Sequence, residues 1–78
     1  MSNKHGDPYE NLANAVVVQA AEDYRRALKA LKRCARNKDA LALKEECERF
    51  FQSGWFSILT AVDGEWLMRK LREEVKTG

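Results

Sequence analysis

Histidine is nearly missing from this 78-residue chain: His5 is the only one, set in the polar stretch Met1-Ser2-Asn3-Lys4-His5-Gly6-Asp7-Pro8. No imidazole is therefore placed as a general base within a folded element. Cysteine is also scarce. Cys34 and Cys47 stand thirteen residues apart, a separation that makes no metal-ligand pair, and no glycine-rich loop is present to cradle a phosphate. Glu45, Glu46 and Glu48 cluster, but at helical spacing they read as solvated partners for basic residues. These absences argue against an enzyme and against a cofactor or metal site. No apolar run approaches the roughly 20 residues of a membrane span. None follows the N-terminus as a secretory signal would. The expected location is the cytoplasm, with no membrane partner.

Breakers are few as well. The chain has one proline and four glycines, two of which, Gly6 and Gly78, lie at its ends. What remains is rich in Ala, Leu, Glu, Lys and Arg, which favours helices. The hydrophobic fraction of 45% and charged fraction of 33% fit one small globular domain. The expected organisation is a disordered tail over residues 1–6 and a single helical domain over 7–78.

Asp7-Pro8-Tyr9-Glu10 is a helix start, with Asp7 as cap, Pro8 at the first helical position and Glu10 three residues after the cap. Apolar positions then recur at threes and fours through Leu12, Val16, Ala20, Tyr24, Ala27, Leu28, Leu31 and Ala35, predicting one long helix to about Ala35. Asn37, Lys38 and Asp39 form the turn, with Asn37 or Asp39 able to cap the next helix. A second helix follows over about 39–53, with Leu43, Cys47, Phe50 and Phe51 inward. Ser53-Gly54 breaks it, and Trp55, Phe56, Ile58 and Leu59 make a short apolar turn. Thr60 to Asp63 reads as a capping box, with Asp63 as an alternative cap, for a last helix to about Lys76. Val62, Trp66, Leu67, Leu71 and Val75 are its expected inner face. The fold class is all-α: a long N-terminal helix in an antiparallel hairpin with a second, an aromatic elbow, then a C-terminal helix, a small bundle of three to four helices. In that hairpin the cysteines are offset by some six residues at ~1.5 Å each. A disulfide needs Cα atoms within about 7 Å, so both read as small buried hydrophobes.

Three features suggest binding surfaces. Between Tyr24 and Lys38 stand seven basic residues and no acidic one. Arg25, Lys29, Lys32 and Arg36 fall on one stripe, with Arg26 and Arg33 beside it, suited to a phosphate or an acidic partner. The plain alternative is internal neutralisation, with Glu45, Glu46 and Glu48 brought past Arg25, Arg26 and Lys29 by the hairpin. The second feature is Leu12 to Ala21, apolar on nearly every side, where Leu12, Ala13, Val16, Val17, Val18 and Ala21 suggest a homo-oligomer interface, the plain alternative being that the third helix covers this face. The third is the aromatic elbow, in which Trp55, Phe56 and Trp66 either anchor a partner or close the core.

The runs Glu48 to Thr60 and Val62 to Leu67, with Asp23-Tyr24-Arg25-Arg26-Ala27-Leu28, resemble small proteins of Firmicutes phages and integrated mobile elements. The resemblance spans most of the chain after the first ten residues and assigns no residue a role. It implies a non-enzymatic accessory factor in the host cytoplasm that binds and inhibits a host protein, such as part of an antiviral defence system. Two other functions fit the residues: an oligomeric sponge for a signalling nucleotide, and a nucleic-acid binder using the basic stripe.

Overall fold

The fold follows from where helix formers stop and which side chains cap the ends. In the computed structural model, which describes the backbone of residues 8–77 and the side chains of residues 14–76, four helices run in chain order. They are α1 (Pro8–Arg33), α2 (Lys38–Phe51), α3 (Gly54–Leu59) and α4 (Gly64–Thr77). The all-α class and the hairpin with its aromatic elbow are as the sequence predicts. The expected tail and the Asp7 cap lie outside the described residues, as do the side chains of Leu12 and Ala13.

Helix α1 stops two residues earlier than expected, at Arg33, because Asn37 takes over the chain direction. Its backbone N–H bonds to the Cys34 carbonyl at 3.1 Å, and its side-chain oxygen accepts from the Ala40 N–H at 3.0 Å. Asn37 is thus the N-cap of α2, whose first turn begins at Lys38 rather than after it. Cys34 and Ala35 fall in this turn and are exposed. The expectation that both cysteines are buried therefore holds for Cys47 alone. Arg36 also leaves the α1 helical stripe.

Ser53 joins α2 to α3 with both ends of its hydroxyl. It donates to the Phe50 carbonyl at 2.7 Å and accepts from the Phe56 N–H at 3.2 Å. At the next junction Asp63, not Thr60, starts the helix: its carboxylate accepts from the Glu65 N–H at 3.0 Å. Thr60 instead accepts from the Val62 N–H within the loop.

Helix α2 runs antiparallel to α1, opposing Glu48 and Phe51 to Tyr24. Helix α4 starts against the Phe51 carbonyl at Gly64 and ends where Lys32 reaches the Val75 carbonyl, so it returns in the direction of α1. The core forms where these helices and α3 meet: Tyr24, Cys47, Phe51, Phe56, Met68 and Leu71. Its aromatic rings pack edge to face, Tyr24 on Phe51, Phe50 on Phe56 and Phe51 on Phe56, each pair 5.5 Å between centroids. Such geometry contributes about 0.5–1.5 kcal/mol per pair beyond area burial.

The phase of α4 differs from expectation. Leu67, Leu71 and Val75 point inward, but Val62 and Trp66 are exposed and Met68 is buried. The backbone of Gly64 lies so close to Phe51 that this edge of the helix must face α2. At 100° per residue Met68 shares that edge, and Trp66 lies on the opposite side.

Among the described residues, Tyr24 carries the one hydroxyl in the core. Its hydroxyl donates to the Glu48 carboxylate at 2.7 Å and accepts from Arg72 at 3.1 Å. Lys44 holds the same Glu48 oxygen at 2.9 Å. Burial, and then the bond to Glu48, push the Tyr24 phenol up to about 12. Among the described residues no buried side-chain nitrogen or oxygen lacks a hydrogen-bond partner, which is what a core with one polar insertion requires.

Candidate functional site

The basic residues of α1 separate into those with a structural partner and those without. Arg25 donates through Nε to Glu74 on α4 at 2.7 Å. That bond, and the nearby charge of Lys29, hold the Glu74 carboxyl below its usual range. Arg26 pairs with Asp23 one turn back at 3.2 Å, and Gln19 donates to the same carboxylate at 3.0 Å. Lys32 donates to the Val75 carbonyl at 2.9 Å, covering the end of α4. Lys29, Arg33 and Arg36 are exposed, and none of them forms a salt bridge among the described residues.

The neutralising acids are therefore not those the hairpin suggested. Glu45 and Glu46 are exposed on α2. Glu48 belongs to Tyr24, Lys44 and Arg72, and the cross-helix partner of Arg25 is Glu74. Side by side, α1 and the last turns of α4 leave a cleft of about 630 Å³ lined by Arg25, Lys29, Lys32, Arg33, Glu74 and Val75. A second of about 470 Å³ lies where Leu28 and Lys32 face Arg69, Arg72 and Lys76. Helix α4 thus adds three cations to this end of the molecule, a pairing that the stripe on α1 alone does not reveal.

The aromatic elbow divides in two. Phe56 is only 2% exposed and belongs to the core, so it offers no contact to a partner. Trp55 is 60% exposed and Ile58, one turn further along α3, is 76% exposed. Trp66 is 45% exposed on the outer side of α4, with the Lys70 ammonium 5.9 Å from its ring centroid. Ile58 and Val62 join the two tryptophans as exposed apolar groups. The spacing of Trp55 and Ile58 around buried Phe56 was the available signal for Ile58.

The apolar half of α1 is partly used internally. Val17 and Ala21 pack against the core, while Val16 and Val18 are exposed. Among the described residues no group of three or more His, Cys, Asp or Glu is gathered to hold a metal. No helix among them is long and apolar enough to cross a membrane. No protein-family model, curated protein or solved structure matches this chain.

Proposed function

We propose that this chain is a non-catalytic protein-binding module that docks through the apolar surface of α3 and the start of α4. The observation that supports this most is the exposure of Trp55 and Ile58 on one side of a six-residue helix whose other side, at Phe56, is core. Two large apolar groups held on a rigid, capped turn lose little freedom on docking. Fully burying each is worth about 1.5–3 kcal/mol by area, and tryptophan is over-represented among residues that dominate interface energy. The resemblance to small phage proteins supplies the partner class, a host protein that is blocked by occlusion.

The test is capture of partners from bacterial lysate by the tagged wild-type chain and by a Trp55→Ala/Ile58→Ala variant. A partner held by the wild type and lost from the variant, with unchanged helical content, supports the reading. A partner held equally by both overturns the assignment to this surface. Self-association through α1 is a second reading, favoured by the exposure of Val16 and Val18 beside the packed Val17. A monomeric mass in solution across the concentrations used would eliminate it.

A further inference from the structure

Positive charge at the shared end of α1 and α4 has two structural duties. Helix C-termini carry partial negative charge, and Lys32 meets that demand at α4 by bonding to the Val75 carbonyl. Arg25 ties the two helices together through Glu74. Arg33 stands in the last turn of α1 and complements that helix's own C-terminus, Lys29 adds its charge to that of Arg25 beside Glu74, and Arg36 lies in the following turn. They are exposed and stand in no salt bridge among the described residues. Three cations whose side chains reach solvent thus stand beside two tied ones, more than the pairing of the two helices needs.

We infer that this end of the molecule is a binding surface for the sugar–phosphate backbone of nucleic acid. The site is distinct from the apolar surface proposed above. Arg25, Lys29 and Arg33 recur every four residues, about 6 Å apart along the axis of α1. Arg36 follows in the turn beyond α1, and Arg69, Arg72 and Lys76 line a neighbouring cleft that shares Lys32 with the first. A row of cations at regular intervals is what a chain of phosphates meets best, since each neutralised phosphate releases a counterion.

An acidic protein is the competing occupant, and the composition of the face weighs against it. Protein interfaces centre on a desolvated apolar or aromatic patch with a polar rim. Among the described residues the exposed large hydrophobic side chains are Val16, Val18, Leu41, Trp55, Ile58, Val62 and Trp66. None lies within the segments 25–36 and 69–76 that form the face. Apart from Glu74 and the edge of the largely buried Val75, a partner here meets cations, which suits backbone contacts that position a nucleic acid without reading its sequence. The whole chain carries only +2, so the rest of the molecule is net negative and its field orients the basic end toward a polyanion.

The experiment is fluorescence anisotropy of a labelled 20-base-pair DNA duplex, in two unrelated sequences, titrated with the full chain from low to physiological salt. The expected result is equal affinity for both sequences and a log K against log salt slope of about −3, for three phosphates neutralised. Lys29→Gln/Arg33→Gln should weaken binding to both sequences and flatten the slope by about 2, roughly 1 per contact removed. Both side chains are exposed, and circular dichroism checks that the variant keeps its fold. Arg49→Gln, on the exposed side of α2, should leave binding nearly unchanged. The inference is overturned by an absence of binding at the lowest salt, or by a loss with Arg49→Gln per charge as large as with the double variant. Competition by poly-glutamate as effective as by unlabelled duplex would also overturn it, because the surface would then prefer no phosphate.

Discussion

The sign of one substitution tests how α4 is seated. Gly64 begins that helix without a positive φ, so by backbone criteria alone alanine is welcome. Replacing a glycine whose conformation alanine can adopt typically stabilises by about 0.4–1 kcal/mol, through the unfolded state. The packing says the opposite. A Cβ built on Gly64 meets the Phe51 carbonyl oxygen inside van der Waals contact, with the carbonyl carbon 3.0 Å away. The obstacle is backbone, which cannot rotate aside, so α4 must lift from α2 and loosen Met68 and Leu71. Overpacking of this kind costs about 1–3 kcal/mol. Taking about 2 kcal/mol for a clash with rigid backbone and subtracting the backbone gain, Gly64→Ala should destabilise by about 1–2 kcal/mol.

A chain of this length has roughly 4–12 kcal/mol of stability in all. The loss should lower the melting temperature by about 4–16 °C, at 4–8 °C per kcal/mol. Gly54→Ala is the matched control. It too starts a helix without a positive φ, and its added Cβ meets nothing within 4 Å. It should raise the melting temperature by a few degrees. Thermal unfolding followed by far-ultraviolet circular dichroism reads both. A Gly64→Ala protein as stable as wild type would refute the close approach of α4 to Phe51, and with it the phase assigned to Met68 and Trp66.

Two further predictions concern the polar core and the thiols. Burial alone would raise the Glu48 carboxyl, but the bonds from Lys44 and Tyr24, with Arg72 nearby, bring it below its ordinary value. A carboxyl depressed on folding contributes stability above its unfolded pKa of about 4.3, and that contribution is lost as pH falls through the folded value. Denaturant midpoints should therefore fall below about pH 4.3, and less steeply in Glu48→Gln; equal slopes would show that the network carries no linkage. Cys34 is exposed whereas burial pushes the Cys47 thiol up to about 11, so a thiol reagent near neutral pH should label one site at once and the second only in denaturant. Fast labelling of both would contradict the buried position of Cys47.

Much of the architecture is legible in residue order, since helix formers, caps and apolar spacing are local properties. Asn37 lies within the expected turn and is one of the two residues there that could cap α2; the adjustment is that α1 already ends at Arg33. The hairpin follows from that short connection. What could not be read locally is what depends on a contact made elsewhere in the chain. Arg25 has three acids within reach of a hairpin argument, yet its partner is Glu74, forty-nine residues away. The position of α4 beside α1 decides that choice.

The phase of α4 is the clearest case, and it decides which residues are left for function. Hydropathy weighs side chains, and by that measure the tryptophan at 66 outranks the methionine at 68 for a place in the core. Glycine has no side chain to weigh, so the residue that orients the helix is invisible to the measure that predicts its inner face. Once Gly64 is pressed against Phe51, rotation about the helix axis is no longer free. Met68 then falls on the buried edge and Trp66 on the far side. The same step turns Trp66 from a packing residue into an exposed one, beside Lys70. An apolar surface of this kind arises because a backbone contact has overruled the hydrophobic order of the sequence, and a single added methyl group at position 64 would disturb it first.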